Sequence, residues 1–139
     1  MFRKIVVAND GSEGAARALL VSIDLAKARA AELLMISVEH LPEFPASVGE
    51  VIEEKADANH RYRSVVGRAK AQAQARGVTL TTHVVTGHAV SKIIEFVERE
   101  KADLLVVGFM GHSALYNRLI GGTADRLVEH ASCSVLVVK

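Results

Sequence analysis

Tryptophan is absent from the chain, aromatic residues make up only 4% of it, and there are two prolines and a single cysteine among 139 residues. Ala and Val therefore carry most of the apolar half of the composition. The one cysteine, Cys133, cannot form an intramolecular disulfide, and its place in an apolar run reads as a buried, inert thiol suited to a reducing compartment. No stretch is rich enough in Pro, Gly or Ser to serve as an interdomain linker, so one domain spanning residues 1–139 is expected. A chain of this length removes roughly two-thirds of its unfolded surface from water and needs no disulfide or metal to hold a core. Charge of one sign is also lacking. Seventeen basic and sixteen acidic residues are scattered along the chain for a net charge of +1, which excludes the footprint of a nucleic-acid backbone or an anionic membrane as partner. Long apolar runs are missing too. The run that follows Met1-Phe2-Arg3-Lys4 is four residues long, too short for a signal-peptide core or a membrane span, and a cytoplasmic location is expected.

Five short apolar runs are present: Ile5 to Ala8, Leu33 to Val38, Val78 to Leu80 continuing to Val84-Val85, Leu104 to Val107, and Val135 to Val138. Most of them do not alternate, which predicts strands buried on both faces, as in a parallel sheet. Helical spacing fills the gaps. Ala16, Leu19, Ile23, Ala26 and Ala30 share one face, and Val90, Ile93, Ile94 and Val97 share another. A polar stretch from Val51 to Arg76 that ends at Gly77 predicts a long helix, and Ala124, Leu127, Val128 and Ala131 give the inward face of a last one. Two prolines within His40 to Pro45 predict a surface loop. The alternation of strand and helix, joined by right-handed crossovers, predicts an α/β fold: an open, doubly wound, five-stranded parallel sheet with helices on both faces. Alternation leaves the strand order open.

In such sheets ligands bind beyond the carboxyl ends of the strands, near the point where strand order reverses. After the first strand comes Asn9-Asp10-Gly11-Ser12-Glu13, with Ser12 as a helix N-cap and Asp10 over the sheet edge; an ordinary strand-to-helix turn explains this segment equally well. After the fourth strand, Gly108 and Gly111 frame a turn where bare backbone can approach an anion. Gly121-Gly122-Thr123 then opens the last helix with free N–H groups, a hydroxyl and the positive end of the helix dipole. Together these read as a two-part phosphate cradle, while the alternative is that the glycines merely terminate a strand and start a helix. Neither the P-loop pattern with its lysine nor GxGxxG is present.

Gly108-x2-Gly111-x9-Gly121 resembles the G-2x-G-9x-G-(S/T) signature of the ATP-binding branch of the universal stress protein family. The opening Ile5 to Glu13, the segment Ala102 to Gly108 and the closing Ala131 to Val138 are similar to that family's corresponding segments, so the likeness spans the chain. The resemblance implies a Rossmann-like, adenine nucleotide alpha hydrolase-like fold and ATP as ligand, with or without Mg2+ or Mn2+. It implies that Asp10 and Val38 contact ribose and adenine, and that Gly108, Gly111, Gly121 and the residues after it hold ribose and phosphates. The family's Ser/Thr position is Gly122 here, with Thr123 one residue later as a substitute hydroxyl. It also implies a homodimer paired through the strand Val135 to Val138.

His112 follows Gly111 and is a candidate phosphate contact, although an exposed loop histidine without a role fits as well. Arg118 can likewise reach phosphate or remain a solvated surface residue. The other histidines, His40, His60, His83, His88 and His130, show no metal-ligand spacing. Asp10 could help hold a divalent cation carried by the phosphates. No catalytic triad is legible. Three functions compete: a dimeric, nucleotide-dependent regulatory module in a stress response, a slow ATPase or nucleotidyl-transfer enzyme in the same cleft, and a dimerisation module without nucleotide. The lack of a general base beyond Asp10 weighs against the enzyme, and the three signature glycines weigh against the last.

Overall fold

The computed structural model describes residues 1–40, 48–109 and 122–139, with residues 48–59 as backbone. Nine elements alternate along the chain: β1 (Lys4–Ala8), α1 (Glu13–Arg29), β2 (Glu32–Glu39), α2 (Val48–Ala75), β3 (Leu80–Thr86), α3 (Ala89–Glu100), β4 (Leu104–Gly108), α4 (Gly122–His130) and β5 (Ser134–Val138). The strands form one sheet in the order β3-β2-β1-β4-β5, with every neighbouring pair parallel. The expected doubly wound α/β architecture is therefore present, and strand order reverses between β1 and β4.

Strand side chains alternate between faces, so each apolar run feeds two cores at once. Ile5, Val7, Leu33, Met35, Leu104 and Val106 pack with α1 and α2 on one face. Val6, Leu34, Ile36, Leu105 and Val107 pack with α3 and α4 on the other. That is why β1, β2 and β4 lack alternation in sequence. The expectation of burial on both faces fails at the sheet's edges. Strand β3 leaves Thr81, Val84 and Thr86 exposed, Val84 at 43%, and β5 is only partly covered. An edge strand has one neighbour and less helix over it.

Helix α1 buries Ala15, Ala18, Leu19, Ser22, Ile23 and Ala26. The expected Ala16 and Ala30 are instead exposed. The stripe is turned because Gly14 and Ala15 press against β4, and buried Ser22 satisfies its hydroxyl by donating to the Ala18 carbonyl at 2.8 Å. The long helix runs Val48–Ala75 rather than 51–76, and Gly77, at φ 75°, takes the left-handed turn that ends it. In α4 the inward residues are Ala124 and Leu127. Val128 is 47% exposed and Ala131 lies beyond the helix, since nine residues give one short stripe. Cys133 is half-buried, and burial pushes its thiol pKa up, consistent with an inert thiol. The expected loop at His40 to Pro45 lies, from residue 41 onward, outside the described residues.

Candidate functional site

The turn after β1 is built by its own side chains. Asn9, buried at 6% exposure, donates its backbone N–H to the Ile36 carbonyl at 2.9 Å and accepts the Gly11 N–H on Oδ1 at 2.9 Å. The Ser37 hydroxyl donates to the Asn9 carbonyl at 2.6 Å, tying the end of β2 to the same turn. Half-buried Asp10 accepts the Ser12 N–H on Oδ1 at 3.0 Å, and Gly11 takes φ 83°, a conformation glycine adopts without strain. Ser12 then caps α1 by accepting the Ala15 N–H at 3.2 Å. Asn9 and Ser37 were not singled out by sequence. Only the register between β1 and β2 brings them together.

Above this turn lies a cavity of about 640 Å³ including its open mouth. Ile36, Ile93 and Leu127 contribute apolar lining, while Asn9, Asp10, Ser12 and Thr123 contribute polar groups. An apolar wall with a few convergent polar groups is the usual make-up of a small-molecule site. Four of the expected residues, Asp10, Val38, Gly108 and Thr123, come from four separate parts of the chain to line it. Gly122 is the first described residue of α4, so the N-terminal end of that helix, the positive end of its dipole, lies beside Thr123 at the cavity. Gly111, His112 and Gly121, with Arg118, lie outside the described residues.

Gly108 lines the cavity, but its lack of a side chain has another use. A Cβ there would sit 2.6 Å from the Gly14 carbonyl carbon, 2.8 Å from the Gly14 oxygen and 2.9 Å from the Ala15 nitrogen. The space that sequence reading gave to an anion is filled, on that side, by the first turn of α1.

Val38 offers its main chain to the site. Within a strand, the N–H and C=O of one residue point to the same side and successive residues alternate. The Ile36 carbonyl meets Asn9 on the β1 side, and the Glu39 carbonyl meets Gly87 on the β3 side. The Val38 carbonyl therefore aims toward β1, beyond the point where β1 has ended at Ala8. Its partner comes from α2: the Tyr62 hydroxyl donates to it at 2.9 Å and accepts from Arg61 Nη2 at 3.0 Å. Tyr62 is 2% exposed, and burial raises its pKa although the Arg61 guanidinium acts in the opposite sense.

Among the described residues, no group of three His, Cys, Asp or Glu side chains could hold a metal ion, and no helix is long and apolar enough to cross a membrane. A family model described as the universal stress protein family matches residues 1–139. A universal stress protein of Methanocaldococcus jannaschii is 33% identical over 147 aligned residues that cover 100% of this chain and 83% of the relative. Among solved structures, a universal stress protein from Lactobacillus plantarum has a TM-score of 0.89 at 22% identity, covering 99% of this chain and 98% of its own, a likeness of fold. A universal stress protein in complex with cAMP has a TM-score of 0.78 at 27% identity, covering 99% of this chain and 97% of its own.

Proposed function

The chain belongs to the universal stress protein family, and from that premise we propose that it is a cytoplasmic, homodimeric regulatory module that binds ATP in the cavity over β1, β2 and β4. The observation that carries this reading is the convergence of Asp10, Val38, Gly108 and Thr123 on one cavity at the carboxyl ends of the strands. The base lies on the apolar wall of Ile36 and Ile93 with its edge toward the Val38 main chain, and the ribose lies toward Asp10. The phosphates extend to Gly108, Gly111, His112 and the run Gly121-Gly122-Thr123, where helix N–H groups favour negative charge. Gly122 supplies no hydroxyl, and Thr123, on the cavity wall, supplies one instead. The cAMP complex of a relative 27% identical supports an adenine nucleotide as the ligand class. A Mg2+ or Mn2+ ion would arrive on the phosphates, with Asp10 as the carboxylate at hand, since the described residues form no metal cluster of their own.

Regulation is favoured over turnover because Asp10 is the one nominated base and the described lining of the cavity sets no His, Glu or Lys beside it. The dimer is placed on β5. The Phe109 N–H donates to the Val138 carbonyl at 2.7 Å, so Val138 faces β4, and by alternation the N–H and C=O of Val135 and Val137 face the open edge of the sheet. Such an edge invites a second strand, and the same strand of a second copy satisfies both about a two-fold axis.

Mass spectrometry of the small molecule released on denaturing the purified protein, with calorimetry of ATP binding, tests the reading. The expected result is an adenine nucleotide and ATP binding that the Gly111→Val, Gly121→Val double variant abolishes. Binding of ATP by that variant as by the wild type refutes the placement of the phosphates.

A further inference from the structure

Tyr62 lies on the opposite face of the sheet from the cavity, among the residues that pack with α1 and α2, yet its hydroxyl ends on a backbone carbonyl that reaches past β1 toward the site. We propose that Tyr62 is a positioning residue for nucleobase recognition: by engaging the Val38 carbonyl it fixes the acceptor that distinguishes a 6-amino from a 6-keto purine. This rests on the reading of the cavity as an adenine nucleotide site.

Three observations carry it. The alternation of carbonyls sends that of Val38 into the gap over the end of β1, where strand pairing does not hold it in place. A carbonyl oxygen has two acceptor sites, so one lone pair on Tyr62 leaves another for a ligand N–H. The Tyr62 hydroxyl is itself polarised, because Arg61 donates to its oxygen at 3.0 Å and the guanidinium carbon stands 4.7 Å from the ring centroid, which strengthens the O–H as a donor to Val38. The phenol is thus clamped from outside by a cation and presses on the strand end from within. An amino group at the purine 6-position donates to the Val38 oxygen, whereas a keto oxygen there repels it.

Calorimetry with ATP and ITP on wild type and Tyr62→Phe tests the proposal. Phenylalanine keeps the ring and the packing and removes the hydroxyl. ATP affinity is expected to fall about fivefold, the effect of one neutral hydrogen bond, while ITP affinity changes little, so that the ATP to ITP ratio contracts. A Tyr62→Phe protein that binds ATP like the wild type overturns the proposal. So does a fall of ATP and ITP by the same factor, which marks general loosening of the sheet end. Should Tyr62→Phe fail to fold, as judged by circular dichroism, the exposed Arg61→Ala serves in its place, where a smaller contraction of the same ratio supports the proposal and an unchanged ratio overturns it. Wild type that binds neither nucleotide sinks the cavity reading and this inference with it, an outcome distinct from equal binding by the two proteins.

Discussion

Replacing Gly108 with alanine adds one carbon to a place already occupied. The new Cβ would stand 2.6 Å from the Gly14 carbonyl carbon, against ordinary carbon contacts of about 3.5–4.0 Å, so the two elements must part by roughly 1 Å. No rotamer change relieves this. All three crowded atoms are backbone of the first turn of α1, and Gly108 is pinned in β4, paired with Val138 of β5. Overpacking of this kind costs about 1–3 kcal/mol. For a domain of this size that lowers Tm by roughly 3–12 °C. Gly67 is the control. It lies in α2, and a Cβ there meets nothing within 4 Å, so Gly67→Ala should stabilise by up to about 1 kcal/mol through helix propensity alone. Thermal unfolding followed by circular dichroism reads both. Because the displaced turn also carries the Ser12 cap and follows Asp10, Gly108→Ala should weaken ATP binding as well as stability. A Gly108→Ala protein that melts at or above the wild-type temperature, or two variants that shift in the same direction, refutes the steric account.

Asp103 accepts the Arg3 N–H at 2.8 Å and the Lys4 N–H at 3.1 Å, and although burial pushes its carboxyl up, these bonds outweigh it and hold the pKa below the ordinary value. A folded value below the unfolded one gives stabilisation that is complete above the unfolded carboxylate's pKa of about 3.9 and is lost as pH falls through the folded value. The wild type should therefore melt above Asp103→Asn at about pH 6 and lose that advantage below about pH 4; an advantage constant across this range contradicts the assignment. Val137→Pro removes an N–H that faces the open edge of the sheet rather than β4, so light scattering should find the wild type dimeric at micromolar concentration and the variant monomeric, with its melting temperature little changed. A wild type that is monomeric, or a variant still dimeric, ends the case for pairing through β5.

The strands were legible where burial is greatest. The runs Ile5 to Ala8, Leu33 to Val38 and Leu104 to Val107 lose their alternation because helices cover both faces, and that loss is itself the signal. It is weaker in β3, an edge strand in which Thr81, Thr82 and His83 interrupt the apolar run. Strand order was not legible, since it depends on whether β4 returns to the far side of β1, a choice no local pattern records. At the site, the turn chemistry of Asp10 and Ser12 follows from residue type, and their bonds bear it out. Gly108 was read for what it leaves open, whereas the fold shows a helix filling that space. Tyr62 escaped notice because one aromatic in a polar helix looks like core, and its bond to a main-chain atom of Val38 has no signature in side-chain spacing. Gly111, His112 and Gly121 rest on their motif, as they lie outside the described residues.

The central place of β1 has a consequence for the birth of the molecule. Its left and right neighbours are made at very different times: β2 follows almost at once, whereas Ile5 meets Leu104 only after most of the chain has been synthesised. At about 5–20 residues per second, the ribosome leaves one flank of β1 without its strand for on the order of 5–20 s. During that interval the emerging half-sheet β3-β2-β1 has a border of unpaired main-chain N–H and C=O groups, which β4 covers in the finished sheet, and another extended strand can occupy it. Arrival of β4 closes that border, and Asp103, which immediately precedes β4, seals it by gripping the main chain of Arg3 and Lys4. Codon choice or chaperone supply across residues 40–104 should thus govern soluble yield far more than changes near the carboxyl terminus, where β5 only extends a sheet already complete around β1.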